Sequence, residues 1–123
     1  MEIERAVTAL SALAQESRLG IFRLLIEQGR KGMSAGDIAL RLGGMPNTVS
    51  THLGILTRSG LIQSHRLGRS IIYSVDLEGI QELLMYLIQD CCKGQPELCQ
   101  SVFKAALKNN FAGKGSKARQ CLS

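Results

Sequence analysis

SAGDIALRLGGMPNTVSTHLGILTR, residues 34–58, is the stretch from which the rest of the chain is read. Ser34 carries the side-chain oxygen of a good helix N-cap, with Asp37 three residues on. Ile38, Ala39 and Leu42 then fall on one helical face before Gly43-Gly44 ends the run. Pro46 can open a second helix, because a first-turn residue needs no partner for an N–H. From there Val49, Leu53 and Leu56 recur at spacings of four and three, an apolar stripe. Asn47, Thr48, Ser50, Thr51 and His52 take the other face and the N-terminal turn. The pattern predicts two short helices around a tight turn. The polar face is small and uncharged, and its groups donate and accept against base edges and phosphates, as the second helix of a helix-turn-helix does in a major groove. Short amphipathic helices with polar outer faces also occur in many all-helical domains, so the assignment depends on what flanks them.

After Gly60 the period changes from helical to alternating. Leu61-Ile62-Gln63-Ser64-His65-Arg66 and Ser70-Ile71-Ile72-Tyr73-Ser74-Val75 are two β-rich runs around Leu67-Gly68-Arg69, which predicts a hairpin. Its tip places Arg66 and Arg69 beside Gly68, with Tyr73 on the returning run. A charged tip by itself is more often a solvated turn. Directly after a helix-turn-helix, a basic hairpin is the wing of a winged helix, whose partner is phosphate or the minor groove. The expected fold class is mainly α with a β-hairpin wing, a winged helix-turn-helix.

The helices on either side extend this frame. Ile3, Val7, Leu10, Leu13 and Ala14 predict an amphipathic first helix. A Ser17 N-cap is expected to start a second, ending near Gly29, whose Leu19, Ile21, Phe22, Leu24, Leu25 and Ile26 are apolar around much of the circumference, as in a buried core helix. Gly32-Met33 leads into the helix-turn-helix. Asp76 caps a last helix with a wide apolar stripe of Leu77, Ile80, Leu83, Leu84, Leu87 and Ile88. The first and last helices offer more apolar surface than a small domain easily buries, so a homodimer through them is expected; the alternative is that both pack on their own core. A symmetric dimer sets two recognition helices about 34 Å apart, one DNA turn, and predicts a near-palindromic operator.

At 123 residues and 45% hydrophobic, the chain is long enough for one domain, with few aromatics to fill its core. Residues 1–112 are assigned to that domain, and 113–123, rich in Gly, Lys and Ser, to a flexible basic tail. Lys and Arg exceed Asp and Glu by five, and the excess comes entirely from Lys104, Lys108, Lys114, Lys117 and Arg119; residues 1–103 balance at zero. The overall basicity is therefore weak evidence for nucleic acid, and local charge in the wing carries the argument. The N-terminus lacks the basic start and apolar run of a secretory signal, and no stretch approaches the ~20 apolar residues of a membrane span. A cytoplasmic protein with no membrane partner is expected, its four cysteines reduced.

Together these pieces resemble the ArsR/SmtB family of winged-helix metalloregulatory repressors. The matching residues are Ser17-Arg18-Leu19-Gly20-Ile21-Phe22-Arg23-Leu24-Leu25, Asn47-Thr48-Val49-Ser50-Thr51-His52-Leu53-Gly54-Ile55-Leu56, Gly60-Leu61-Ile62 and Gly68-Arg69-Ser70-Ile71-Ile72-Tyr73, and the likeness runs from about residue 5 to 100. The pattern is specific as a set, though its single pieces are not. The resemblance implies a homodimer that binds operator DNA without inducer and lets go when a metal or metalloid binds.

Cys91, Cys92 and Cys99 lie within nine residues after the last apolar run. Thiolates are soft ligands for thiophilic ions. Neighbours on a helix point about 100° apart, so Cys91 and Cys92 reach one ion only where the helix ends or distorts. Gly94 suits a helix stop and Pro96 a fresh start, which could fold Cys99 back toward the pair. Trivalent arsenic takes three thiolates, whereas structural zinc normally takes four ligands. His52 and His65, the only histidines, fall on the recognition helix and wing, and Cys121 lies in the tail. The count favours arsenite, with antimonite as a chemical neighbour. The three cysteines also resemble the arsenic-responsive subgroup with C-terminal thiols. The Cys-x-Cys that other arsenic repressors carry at the start of the helix-turn-helix is replaced here by Met45-Pro46-Asn47. Residues 76–92 contain no histidine, against the zinc-sensing branch. Buried filler thiols, a redox switch closing Cys99 onto Cys91 or Cys92, and adventitious cysteines are the competing readings; Cys-x-x-Cys near a βαβ unit, as a thioredoxin-like enzyme needs, is missing.

The sequence thus predicts a non-enzymatic repressor that binds operator DNA as a homodimer without a cofactor. Asn47, Thr48, Ser50, Thr51 and His52 are assigned to the major groove, Arg66, Arg69 and Tyr73 to the wing contact, and Cys91, Cys92 and Cys99 to As(III), with Sb(III) as a possible substitute. The alternatives are a repressor sensing another thiophilic species (antimonite, methylarsenite, cadmium) or redox state, and a thiol protein that buffers metalloid.

Overall fold

The computed structural model describes residues 1–91, 100–101 and 104–107. The chain divides into two compact units, Met1–Leu83 and Leu84–Ser123, and the elements that position the site belong to the first. In order they are α1 (Ile3–Leu13), α2 (Glu16–Gln28), a single 3-10 turn (Gly29–Lys31), β1 (Met33–Ser34), α3 (Ala35–Leu42), α4 (Pro46–Arg58), β2 (Ile62–Leu67) and β3 (Ser70–Val75). The last helix, α5 (Leu77–Cys91), begins in the first unit and runs into the second. Among the described residues no helix is long and apolar enough to cross a membrane.

α1 packs on α2 and α4, and the face it buries is not its most apolar one. Ala6, Ala9 and Ala12 are buried, whereas Ile3, Val7 and Leu10 remain 65%, 54% and 41% exposed. Small side chains at a spacing of three let neighbouring helices approach closely, so the alanines win the inner face and the larger residues are left outside. α2 begins two residues ahead of expectation: its cap is Gln15, not Ser17. Gln15 is extended (φ −149°, ψ 132°) and its side-chain oxygen accepts the Arg18 N–H at 2.8 Å, which leaves Ser17 inside the first turn. The burial of α2 is also narrower than its composition implies. Ile21, Leu24 and Leu25 are buried, Phe22 and Ile26 half-buried, and Leu19 exposed.

α3 follows the sequence reading at both ends. The Ser34 side-chain oxygen accepts the Asp37 N–H at 3.2 Å, and Gly43 closes the helix at φ 75° while its N–H and that of Gly44 both donate to the Ala39 carbonyl. A β-carbon is disfavoured in that left-handed conformation, hence glycine. Ile38 and Ala39 are buried, but Leu42, expected beside them, is exposed because it sits in the last turn. α4 starts on Pro46 and buries Val49, Leu53 and Leu56 as expected.

The sheet has three strands in the order β1-β3-β2, all antiparallel. β1 is absent from the sequence reading. It pairs Met33 with Tyr73 and Ser34 with Ile72, and Gly32 permits this because a β-carbon there would collide with the Tyr73 carbonyl oxygen. The core gathers Ile21, Leu25, Ile38, Leu53, Leu56, Leu61 and Ile62, all fully buried. Each contributes roughly 1.5–3 kcal/mol of transfer free energy. α5 starts with Asp76 as cap, its carboxylate accepting the Gly79 N–H at 3.2 Å, and Gly79 lies directly against the backbone of Gly60 at the end of the α4–β2 turn.

Candidate nucleic-acid interface

Burial of Val49, Leu53 and Leu56 fixes which way α4 faces. At about 100° per residue the opposite side of the helix is the line Asn47, Thr51, Gly54 and Arg58, with Ser50 and Thr48 on its two flanks. Asn47, Thr48, Ser50, Thr51 and Arg58 are all exposed. The Thr51 hydroxyl donates to the Asn47 carbonyl at 3.1 Å, so its lone pairs remain to accept from a base or a bridging water. No acidic residue lies in the first turn of α4, and the positive end of the helix is open to anionic phosphate oxygens.

His52 stands apart from Asn47, Thr48, Ser50 and Thr51. It is half-buried on the edge of α4 that meets α2, and its Nδ1 lies 3.4 Å from Arg18 Nη1. Arg18 Nε–H also donates to the Ala12 carbonyl at 2.6 Å, and Nη2 to the Ser11 carbonyl at 3.5 Å. One guanidinium therefore ties the end of α1 to the recognition helix through His52, a connection spanning 34 residues of sequence. Because the guanidinium only donates, Nδ1 is the accepting nitrogen of this contact.

The hairpin pairs Ile62 with Val75, Ser64 with Tyr73, Arg66 with Ile71 and Leu67 with Ser70, leaving Gly68-Arg69 as a two-residue loop. Gly68 has φ 64°, the positive value that a tight hairpin turn requires at its first central position. From Gln63 through Ile71 every residue is exposed, so the outer half of the hairpin projects from the body. Arg66 and Arg69 are both on that half, and among the described residues no carboxylate forms an ion pair with either. Tyr73 is differently placed: half-buried in the central strand, it lies between Ser64 and Met33, about 10 Å along the strand from the tip residue Ser70. Its hydroxyl belongs with the base of the wing rather than its tip.

Three exposed side chains near these elements escaped the sequence reading: Arg58 on the outward line of α4, Arg41 in the last turn of α3, and Met45 at the N-cap of α4. The signal for Arg58 was present, since it falls seven residues after Thr51 and so on the same helical face. The three-thiol assignment lies outside the described residues: Cys92 and Cys99 entirely, and Cys91 beyond its helical backbone. Among the described residues no group of three His, Cys, Asp or Glu side chains could hold a metal ion.

The helix-turn-helix domain family matches residues 13–65, from the end of α1 into the wing. The HTH-type transcriptional regulator YgaV of Escherichia coli K12 is 32% identical over 89 residues, covering 72% of this chain and 88% of YgaV. An ArsR-like transcriptional regulator from Rhodococcus sp. RHA1 has the same fold, with a TM-score of 0.68 at 26% identity over 80% of this chain and 90% of that one. The chain belongs to the ArsR family of winged helix-turn-helix regulators. HlyU of Vibrio cholerae, a transcriptional activator, matches at 27% identity over 72% of this chain and 80% of its own sequence. Its structure superposes with a TM-score of 0.56 at 30% identity, covering 71% and 97% of the two chains. As an ArsR-family member the protein is a DNA-binding regulator of transcription and not an enzyme, with α3–α4 as its helix-turn-helix and β2–β3 as its wing.

Proposed function

We propose that this ArsR-family protein is a homodimeric repressor that holds a near-palindromic operator and releases it when As(III) binds Cys91, Cys92 and Cys99. The observation that carries the operator contact is the exposed polar line of α4 together with the exposed Arg66 and Arg69 of the wing tip. Asn47, Thr48, Ser50 and Thr51 meet base edges, while Arg66 and Arg69 neutralise phosphates. His52, half-buried, supports the reading helix from the side through Arg18. Dimerisation is supported by Ile3, Val7 and Leu10, three exposed apolar residues backed by the buried alanine face of the same helix. Their exposure on a single helix face is what a second copy would cover.

The inducer assignment rests on chemistry in the sequence: three thiolates within nine residues, without histidine nearby, suit a trivalent metalloid better than zinc. Binding changes DNA affinity only if the two conformations differ in metalloid affinity. Gathering three thiolates at the end of α5 would draw that end out of its free geometry and change the dimer on which the spacing of the two α4 helices depends. A coupling of ~1–3 kcal/mol weakens operator binding about 5- to 150-fold. Whether the bound dimer represses or, as the name of HlyU says of that protein, activates is set by where its operator lies relative to a promoter, and a reporter fusion reads the direction.

Fluorescence anisotropy of the reduced protein on a labelled operator, titrated with arsenite and separately with zinc, antimonite and an oxidant, tests the scheme. Release at near-stoichiometric arsenite with zinc inert is the expected result. Tight binding indifferent to every addition keeps the operator contact and discards the inducer. Release only by oxidant assigns the thiols to a redox switch.

A further inference from the structure

Met45 occupies the N-cap of α4, the position where Ser, Thr, Asp or Asn stabilises a helix most. It makes no side-chain cap, although Ser34 caps α3 and Asp76 caps α5. It is also 71% exposed, so its thioether gains little from burial. The chain therefore forgoes two stabilisations at one residue of the free protein. The backbone there is well held: the Met45 carbonyl accepts the Val49 N–H at 2.9 Å and Pro46 fixes the next residue. The side chain is thus carried at the very start of the recognition helix, the end that meets base edges in a helix-turn-helix.

Around it the first turn is hydrogen-bonding and uncharged: Asn47, Thr48, Ser50 and Thr51 are exposed. Thr48, in the first turn of α4 and exposed, adds a second methyl-bearing side chain at that end of the helix. Among the groups that base pairs present in the major groove, the C5-methyl of thymine is the apolar one. Methionine, unbranched and polarisable, adapts to such a small target. We propose that Met45, with the Thr48 methyl, is a specificity-determining residue that packs on the C5-methyl of one thymine in each operator half-site. The inference rests on operator binding by α4 and adds a base preference to it.

The test uses the full-length protein and duplexes recovered by it from a random-sequence pool, with each thymine replaced singly by deoxyuridine, which removes only the methyl. Burying one methyl multiplies an equilibrium constant about fourfold. One thymine per half-site is expected to show a loss of that size, and substitution in both half-sites about sixteenfold. Met45→Ala should bind the thymine duplex more weakly than the wild type and lose most of the discrimination between the thymine and deoxyuridine duplexes, the remainder belonging to Thr48. Met45→Ser separates this from a folding effect: it supplies the missing cap and should raise the melting temperature while losing the same discrimination. Uniform indifference of the wild type to deoxyuridine, or full methyl discrimination by Met45→Ala, overturns the contact while leaving operator binding intact. A wild-type chain that recovers no duplex overturns operator binding by α4 and the contact with it.

Discussion

Gly20 and Gly79 both lie inside helices, yet alanine should act on them with opposite sign. Helix propensity alone favours alanine by about 1 kcal/mol at each. At Gly20, within α2, a β-carbon meets nothing within 4 Å, so Gly20→Ala is expected to stabilise the protein by about 0.5–1 kcal/mol. At Gly79 a β-carbon would fall deep inside contact distance of the Gly60 carbonyl oxygen, with the Gly60 carbonyl carbon 3.0 Å away. That obstacle is backbone and is held on both sides: Gly60 N–H donates to the Thr57 carbonyl at 3.1 Å, and Asp76 N–H to the Leu61 carbonyl at 3.0 Å. The first turn of α5 must therefore yield. Overpacking against rigid structure costs about 1–3 kcal/mol. Loosening the Asp76 cap adds about 1 kcal/mol, and the propensity gain offsets about the same amount. The net destabilisation is about 2 kcal/mol. In a domain of this size 1 kcal/mol moves the melting temperature by about 4–8 °C, so Gly79→Ala should melt roughly 8–16 °C below the wild type and Gly20→Ala a few degrees above it. Circular dichroism melts at one fixed protein concentration measure this, since the midpoint of a dimer shifts with concentration. A Gly79→Ala protein as stable as the wild type would refute the close approach of α5 to the α4–β2 turn.

The remaining predictions concern function. Arg69→Ala, or Arg66→Ala, should lower the slope of log affinity against log salt by about 1 per phosphate contact, hence about 2 for a symmetric dimer; an unchanged slope in anisotropy titrations removes that arginine from the DNA. Val7→Glu places a charge on the exposed stripe of α1 without touching its alanine face, so sedimentation should show a monomer while the far-ultraviolet spectrum is retained; a dimer of wild-type strength rules out that face. Cys99→Ser should leave operator affinity within about twofold of the wild type and abolish release by arsenite, because a two-thiolate site loses one of three bonds; release at the wild-type arsenite concentration excludes Cys99 as a ligand.

The parts of this protein legible in its sequence are those set by contacts a few residues apart. The Ser34 and Asp76 caps, the Gly43 stop, Pro46 at the head of α4, the Val49–Leu53–Leu56 stripe and the Gly68 turn are all local, and each stands where its residue type places it. Contacts made at a distance were hidden. A two-residue strand such as β1 has no period to detect, and its partner Tyr73 lies forty residues on. The alanine face of α1 is a faint hydrophobic signal beside Ile3, Val7 and Leu10, yet closeness of helices rather than hydropathy decides which face goes in. The same logic separates the residues within the site. Asn47, Thr48, Ser50 and Thr51 are exposed, as their polar types lead one to expect, and the one hydrogen bond of these side chains among the described residues runs within α4 itself. His52, equally polar and adjacent in sequence, is claimed by Arg18, and only the packing of α2 against α4 reveals it. A polar residue on a recognition helix is thus a candidate reader only after the body of the protein has been shown not to need it, and Met45 is the converse, an apolar residue that the body leaves unused.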